Sequence, residues 1–194
     1  MNKYTPDDTT ETLKSQVRLL GAIVGVFWVV ELIDEWVFRG YLDVLGIVPR
    51  HIIGLRGILF APFLHGDLPH LMANTVPFCV LGWLVLVRGR ETFWKVSGTI
   101  ALVSGLGTWL IGPGNSVHIG ASGLVFGYLG YVMCRGWFER SASGILLSAF
   151  IVGIYGSLLF GVLPLRAGVS WQMHLFGFLG GAIAARYIDR PPSF

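Results

Sequence analysis

At 194 residues the chain has the length of one soluble domain, but 54% of it is hydrophobic and only 13% is charged, about half the charge usual in a soluble protein. A soluble fold of this size has no room to hide that much apolar surface, so a bilayer is its natural solvent. The net charge of +3 and pI near 9.1 do not point to nucleic acid, because the basic residues lie scattered between apolar runs rather than on one face.

Residues 1–15 are polar, with Thr5, Asp7, Asp8, Thr9, Thr10 and Glu11 close together and no apolar h-region. They read as a solvated cytosolic tail and not as a signal peptide. Residues 16–190 read as one membrane domain. Six apolar runs follow, at roughly 17–37, 70–87, 93–112, 121–137, 143–163 and 171–188. Each is near the ~20 residues that carry a helix across a bilayer. With no water in the hydrocarbon, the runs must be helices. No alternating ten-residue segments suggest a barrel. The expected fold is therefore an all-α membrane protein, a six-transmembrane-helix bundle.

With the N-terminus inside, the inner loops hold Lys3, Lys14, Arg18, Arg88, Arg90, Lys95, Arg135, Arg140, Arg186 and Arg190, and the outer loops only Arg39, Arg50, Arg56 and Arg166. That asymmetry predicts both termini in the cytoplasm of a multi-pass protein of the cell membrane. Glu31, Asp34 and Glu35 end span one on the outer side and read as interfacial charges, with Glu31 the one candidate for a buried partner. Residues 38–69 form a long outer loop. Its apolar stretch Gly57 to Leu64 is too short to cross, so the loop is expected to be partly embedded. Cys79 and Cys134 fall at different depths and read as packing residues, not a bridge. No Cys/His cluster has metal-ligand spacing, so neither metal nor cofactor is expected.

Spans two, four and six all begin on the outer side, and the notable polar residues sit at those beginnings. His70 and Asn74 open span two on one helix face, Ser122 opens span four, and His174 lies about one turn into span six. At 1.5 Å per residue all four fall within about 10 Å of the outer boundary. Polar groups in hydrocarbon need partners or a water-filled cavity. Taken singly, a membrane serine usually bonds back to its own backbone, and His70 and Asn74 would serve as hydrogen-bonding glue between helices. Their convergence on one layer argues for chemistry.

Ser122 is flanked by Gly120 and Gly123 at a loop-to-helix turn, where backbone can bend sharply and helix N–H groups point outward toward a developing oxyanion. The soluble hydrolase elbow does not fit, because position 124 is Leu. His174 is the candidate base. The nearest acids, Glu139 and Asp189, lie at the inner ends, so the pattern is a Ser–His dyad rather than a triad. Gly123, Gly127 and Gly130 stripe span four, and Gly177, Gly180 and Gly181 stripe span six, which lets the two helices pack closely. Phe126, one turn after Ser122, is positioned to buttress His174 or else to face lipid or core. His65 is positioned to support the site. His51 and His118 read as solvated loop residues.

These residues resemble the rhomboid family of intramembrane serine proteases. The match is His65-x4-His70-x3-Asn74, then Gly120-Ala121-Ser122-Gly123, then His174-x2-Gly177-x3-Gly181, over roughly residues 56–189. The resemblance implies Ser122 as nucleophile, His174 as general base, and His70, Asn74 and the Ser122 N–H as oxyanion hole. It implies no cofactor. The substrates it implies are transmembrane segments of other proteins, cut near their outer ends. Two departures stand out: the Trp-Arg pair often found in the family's first loop is Leu55-Arg56 here, and the aromatic often found as Tyr after the serine is Phe126. The alternative is a catalytically silent relative that binds transmembrane helices. A transporter would need a continuous polar path, and the inner halves of the spans carry few polar groups. Oligomeric state is left open.

Overall fold

The computed structural model describes residues 6–165 and 168–188. Lys3, Arg166, Asp189 and Arg190 lie outside the described residues, as does residue 1–5 of the expected tail. Among the described residues the chain is all helical, with no strand and one isolated antiparallel bridge, between Ile47 and His118. The helices are α1 (Pro6–Ile33), α2 (Gly57–Phe60), α3 (Leu68–Leu86), α4 (Arg90–Ile111), α5 (Ser122–Phe138), α6 (Ala142–Tyr155) and α7 (Trp171–Tyr187). A π turn at Asp34–Phe38 extends α1, and a 3₁₀ segment at Gly156–Val162 extends α6. The N-terminal stretch expected as a tail is already helical from Pro6, with Thr10–Lys14 exposed.

Among the described residues, three helical segments are long and apolar enough to cross a membrane by themselves, Thr10–Phe38, Leu68–Leu86 and Ala142–Val162. The helices α4, α5 and α7 are shorter or more polar. Helices lined by protein can carry polar and small residues that a lipid-facing helix cannot. α5 is the clearest case: from Ser122 to Val132 every residue but Leu124 is buried. α3, α4, α6 and α7 all pack around it.

The α5–α7 seam explains the glycine stripes. A Cβ on Gly177 would strike the Gly123 carbonyl, one on Gly181 the Gly127 carbonyl, and one on Gly130 the Phe178 carbonyl. Only glycine allows backbones this close. Gly180 belongs to another contact, facing Ile100 and Val103 of α4. Below the site, Phe27, Phe78 and Tyr128 form a chain of tilted and edge-to-face rings. The Tyr128 hydroxyl meets Ser97 Oγ at 2.7 Å. At the opposite end Glu139 accepts from both Arg88 and Arg135 at 3.0 Å, tying α3 to α5.

The loop after α1 is docked, not free. Ile47 and His118 exchange backbone hydrogen bonds at 2.9 Å each way, and the Ala61 carbonyl accepts from Gly120 N–H at 2.8 Å. Arg50 donates to the Gly112 carbonyl at 2.7 Å, satisfying the C-terminal end of α4. Arg56 ties the loop to itself through the Val44 carbonyl at 2.8 Å. Ala61 and Leu64 are buried while Ile52, Ile53 and Leu59 are exposed. The loop thus presents one face to the bundle and an apolar face outward.

Candidate active site

The site residues lie in the first two turns of three helices, and the local sequence sets each of those starts. Asp67 caps α3 by accepting from His70 N–H at 2.6 Å, with proline in the first turn. Gly120 precedes α5 at φ 117°, a conformation that disfavours other residues, and a Cβ there would lie 2.9 Å from the His70 ring. Ala121 is the residue before the helix, so Ser122 is the first residue of α5. The first amides of a helix have no intrahelical acceptor.

Ser122 and His174 meet. His174 Nε2 lies 2.9 Å from Ser122 Oγ. His174 Nδ1 lies 2.9 Å from the Gly161 carbonyl oxygen. A carbonyl only accepts, so Nδ1 carries the proton and Nε2 presents its lone pair to the serine hydroxyl. The Phe126 ring stacks on the imidazole, with centroids 4.0 Å apart and planes 5° from parallel. The imidazole is therefore held on its face by an aromatic and on its edge by a backbone carbonyl. Both residues are buried.

His70, Asn74, Ser122 and His174 all line one open cavity of about 1140 Å³. The amide N–H of Gly66 donates to His70 Nδ1 at 3.5 Å. In a neutral ring this leaves Nε2–H as the donor, on the edge that lies against Gly120. Asn74 gives one amide proton to the His70 carbonyl at 2.9 Å and keeps a second. His65 stands behind: Ala121 N–H points to its Nε2 at 3.4 Å, and its ring meets His70 edge-on at 5.2 Å. Burial, with His70 beside it, holds the His65 imidazole down to about 3, so it stays neutral.

Several residues differ from their sequence reading. His118 is not a solvated loop residue but is buried, hydrogen-bonded through both ring nitrogens. His51, by contrast, is exposed as a solvated loop residue, with its carbonyl holding Trp109 Nε1 at 2.8 Å. Asp34 is buried alongside Glu31, accepting from Leu42 N–H at 3.0 Å, whereas Glu35 is exposed. Gly161 was invisible to sequence reasoning, since what it contributes is a main-chain oxygen. The need for glycine at this position is plain only in the structure, where a Cβ would collide with Phe126 at 2.7 Å. Among the described residues no His, Cys, Asp or Glu group is arranged to hold a metal ion.

A family model described as Rhomboid domain matches residues 54–190. An uncharacterized protein of Mycobacterium tuberculosis is 40% identical over 196 residues, covering 94% of this chain and 81% of that protein. An uncharacterized protein of Mycobacterium leprae is 37% identical over 201 residues, covering 97% of this chain and 78% of that protein. A putative rhomboid protease of Bacillus subtilis is 30% identical over 121 residues, covering 61% of this chain and 59% of that protein.

Proposed function

The chain belongs to the rhomboid family, and from that premise we propose that it is an intramembrane serine endopeptidase that cleaves transmembrane segments of other membrane proteins. The observation that carries the reading is the 2.9 Å approach of His174 Nε2 to Ser122 Oγ, with the tautomer defined by the Gly161 carbonyl. In this reading Ser122 Oγ attacks the scissile carbonyl as His174 Nε2 takes its proton. The same proton then passes to the leaving amine, which departs and leaves an acyl-enzyme. Water, activated by the same base, hydrolyses the ester and restores Ser122.

The His70 Nε2–H, the second amide proton of Asn74 and the Ser122 N–H are the proposed oxyanion donors. Gly120 and Gly123 let the backbone approach, and Gly177 lets α7 carry His174 close enough. The cavity is bordered by Ala73, Asn74 and Pro77 on α3 and by Ser157, Leu158 and Phe160 after α6. That arrangement supports sideways admission of an unwound substrate segment from lipid. α4, α5 and α7 complete a six-span bundle in this reading, with both termini cytoplasmic and the site near the outer face. No cofactor takes part.

The test is cleavage of a transmembrane reporter by purified protein in liposomes. Ser122→Ala should abolish it. Asn74→Ala should slow it about 100- to 1000-fold, the usual effect of losing one oxyanion donor. A serine-directed fluorophosphonate should label wild type and not His174→Ala. Equal cleavage by wild type and Ser122→Ala would sink the proposal. Helix binding without labelling would favour a catalytically silent relative.

A further inference from the structure

Two buried histidines near the site, His65 and His118, take no part in the proposed chemistry, and of these His118 is hydrogen-bonded through both ring nitrogens. It sits in the loop between α4 and α5, four residues before Ser122. Its Nε2 lies 2.9 Å from Ser116 Oγ and its Nδ1 lies 2.6 Å from Ser170 Oγ. The proton positions follow from the partners. Ser116 Oγ donates its single proton to the Pro113 carbonyl at 2.7 Å, so it accepts from His118 Nε2–H. A neutral ring then has only a lone pair at Nδ1, which accepts the Ser170 hydroxyl proton. Burial lowers the His118 pKa and so favours that neutral form.

Ser170 is the residue that precedes α7, a position where a serine side chain ordinarily caps its own helix. Here it makes no such cap. Its hydroxyl reaches across to His118 instead, while its carbonyl accepts from His174 N–H at 3.2 Å. One imidazole therefore joins the turn that leads into Ser122 to the turn that leads into His174. The backbone of His118 is itself held by the two-way bridge to Ile47. The whole link thus hangs from the docked first loop.

We propose that His118 is a positioning residue that sets the distance between Ser122 and His174 by clamping, through Ser170, the starts of the two helices that carry them. The proposal rests on the protease reading above. A nucleophile and base misplaced by about 1 Å lose roughly 100-fold in rate, so a clamp between their helix starts acts chiefly on the chemical step, although His118 and Ser170 also line the cavity.

The experiment measures reporter cleavage and fluorophosphonate labelling by full-length protein in liposomes. The variants are His118→Ala, His118→Asn, His118→Gln, Ser170→Ala and the double variant His118→Ala/Ser170→Ala. The expected result is a fall in kcat of about 10- to 100-fold for His118→Ala with KM within about twofold. Ser170→Ala, which removes one hydroxyl and leaves the ring packed, should show the same split, and the double variant should be no slower than the worse single one. Asn offers an acceptor where Nδ1 stood, whereas Gln reaches the Nε2 position. Asn should therefore recover activity and Gln should not. Should His118→Ala fail to fold, Ser170→Ala against wild type and Asn against Gln still decide the matter. Wild-type kcat in Ser170→Ala, additive losses in the double variant, or equal recovery by Asn and Gln would each overturn the clamp while the protease reading stands. Wild type that neither cleaves nor labels would remove the protease reading and this one with it.

Discussion

α6 and α7 both pack on α5, yet in opposite ways. The α5–α7 seam is closed along its length by glycines, backbone on backbone from Gly123 and Gly177 down to Gly127 and Gly181. α6 approaches α5 closely at the end away from Ser122, where Gly136 meets Gly144 and Ser148 Oγ donates to the Val132 carbonyl at 2.9 Å. Ile151 is its one buried residue, and Val152, Gly153 and Ile154 are all exposed. Ser122 and His174 stand on the closed seam. The Gly161 carbonyl that orients His174 stands on the 3₁₀ extension of the loosely held helix. Ser122 and His174 thus stand at one end of the tightly packed seam, while the carbonyl that faces His174 Nδ1 belongs to a helix extension with no buried residue, which is where low local stability is expected.

The comparison is broken most severely by filling the seam. Gly181→Val should drive side chain into the Gly127 carbonyl and the Tyr131 amide. Overpacking of this kind costs about 1–3 kcal/mol and more when backbone must move. The variant should lose several degrees of thermal stability in detergent, or fail to accumulate, and a wild-type melting curve would refute the seam's rigidity.

Next in size, Gly161→Ala should leave the melting curve close to wild type but reduce kcat by about 10- to 100-fold. Its Cβ would lie 2.7 Å from Phe126 and 3.2 Å from His174 Nδ1, so the carbonyl or the ring must shift. Unchanged turnover would mean that the base needs no orienting partner.

Gly153→Ala is the control on the loose helix. A Cβ there meets nothing within 4 Å, so the substitution should raise stability by up to about 1 kcal/mol through helix propensity. A loss of stability would show that the outer half of α6 is packed after all.

A separate, pH-dependent test lies in the docked first loop. Asp43 Oδ1 is buried without a hydrogen-bond partner, and burial, with Asp34 nearby, raises its pKa from 3.8 to about 6. A carboxyl whose folded pKa is raised holds its proton more tightly in the folded state, so stability falls as pH rises from about 4 to 6. Asp43→Asn should therefore melt higher than wild type at pH 8 and lose that advantage at pH 4. An advantage independent of pH would point to packing instead of charge.

Much of this architecture is legible in the amino-acid string because hydropathy counts residues and depth follows from rise per residue. The runs at 70–87 and 93–112 fall close to α3 and α4, and the polar starts of three helices do line one cavity. The run at 17–37 is longer in the structure, because helix continues outward from the apolar segment through polar residues that need no lipid. Glycine stripes announce close packing but not the partner, so Gly180, three residues after Gly177, turns out to serve α4. What stayed hidden depends on crossings between segments distant in sequence. The His118–Ser170 bond joins residues 52 apart, and neither residue type marks it. Buried Asp34 is hidden for a different reason: its partner is a loop amide only eight residues on, but the turn that brings them together follows no helical spacing.

The carbonyl of Gly161 carries one more consequence. A carboxylate in its place would bring a full negative charge into the bundle, where an Asp at a helix centre costs about 2.5–3.5 kcal/mol on insertion scales. In the proposed protease reading the resting Ser122–His174 pair, with a neutral imidazole and an undissociated hydroxyl, carries no net charge. Charge would separate only while bonds are changing, as imidazolium and oxyanion appear together as an ion pair. Its dielectric surroundings should then govern the rate more than any permanent countercharge, and turnover should respond to how much water the cavity holds.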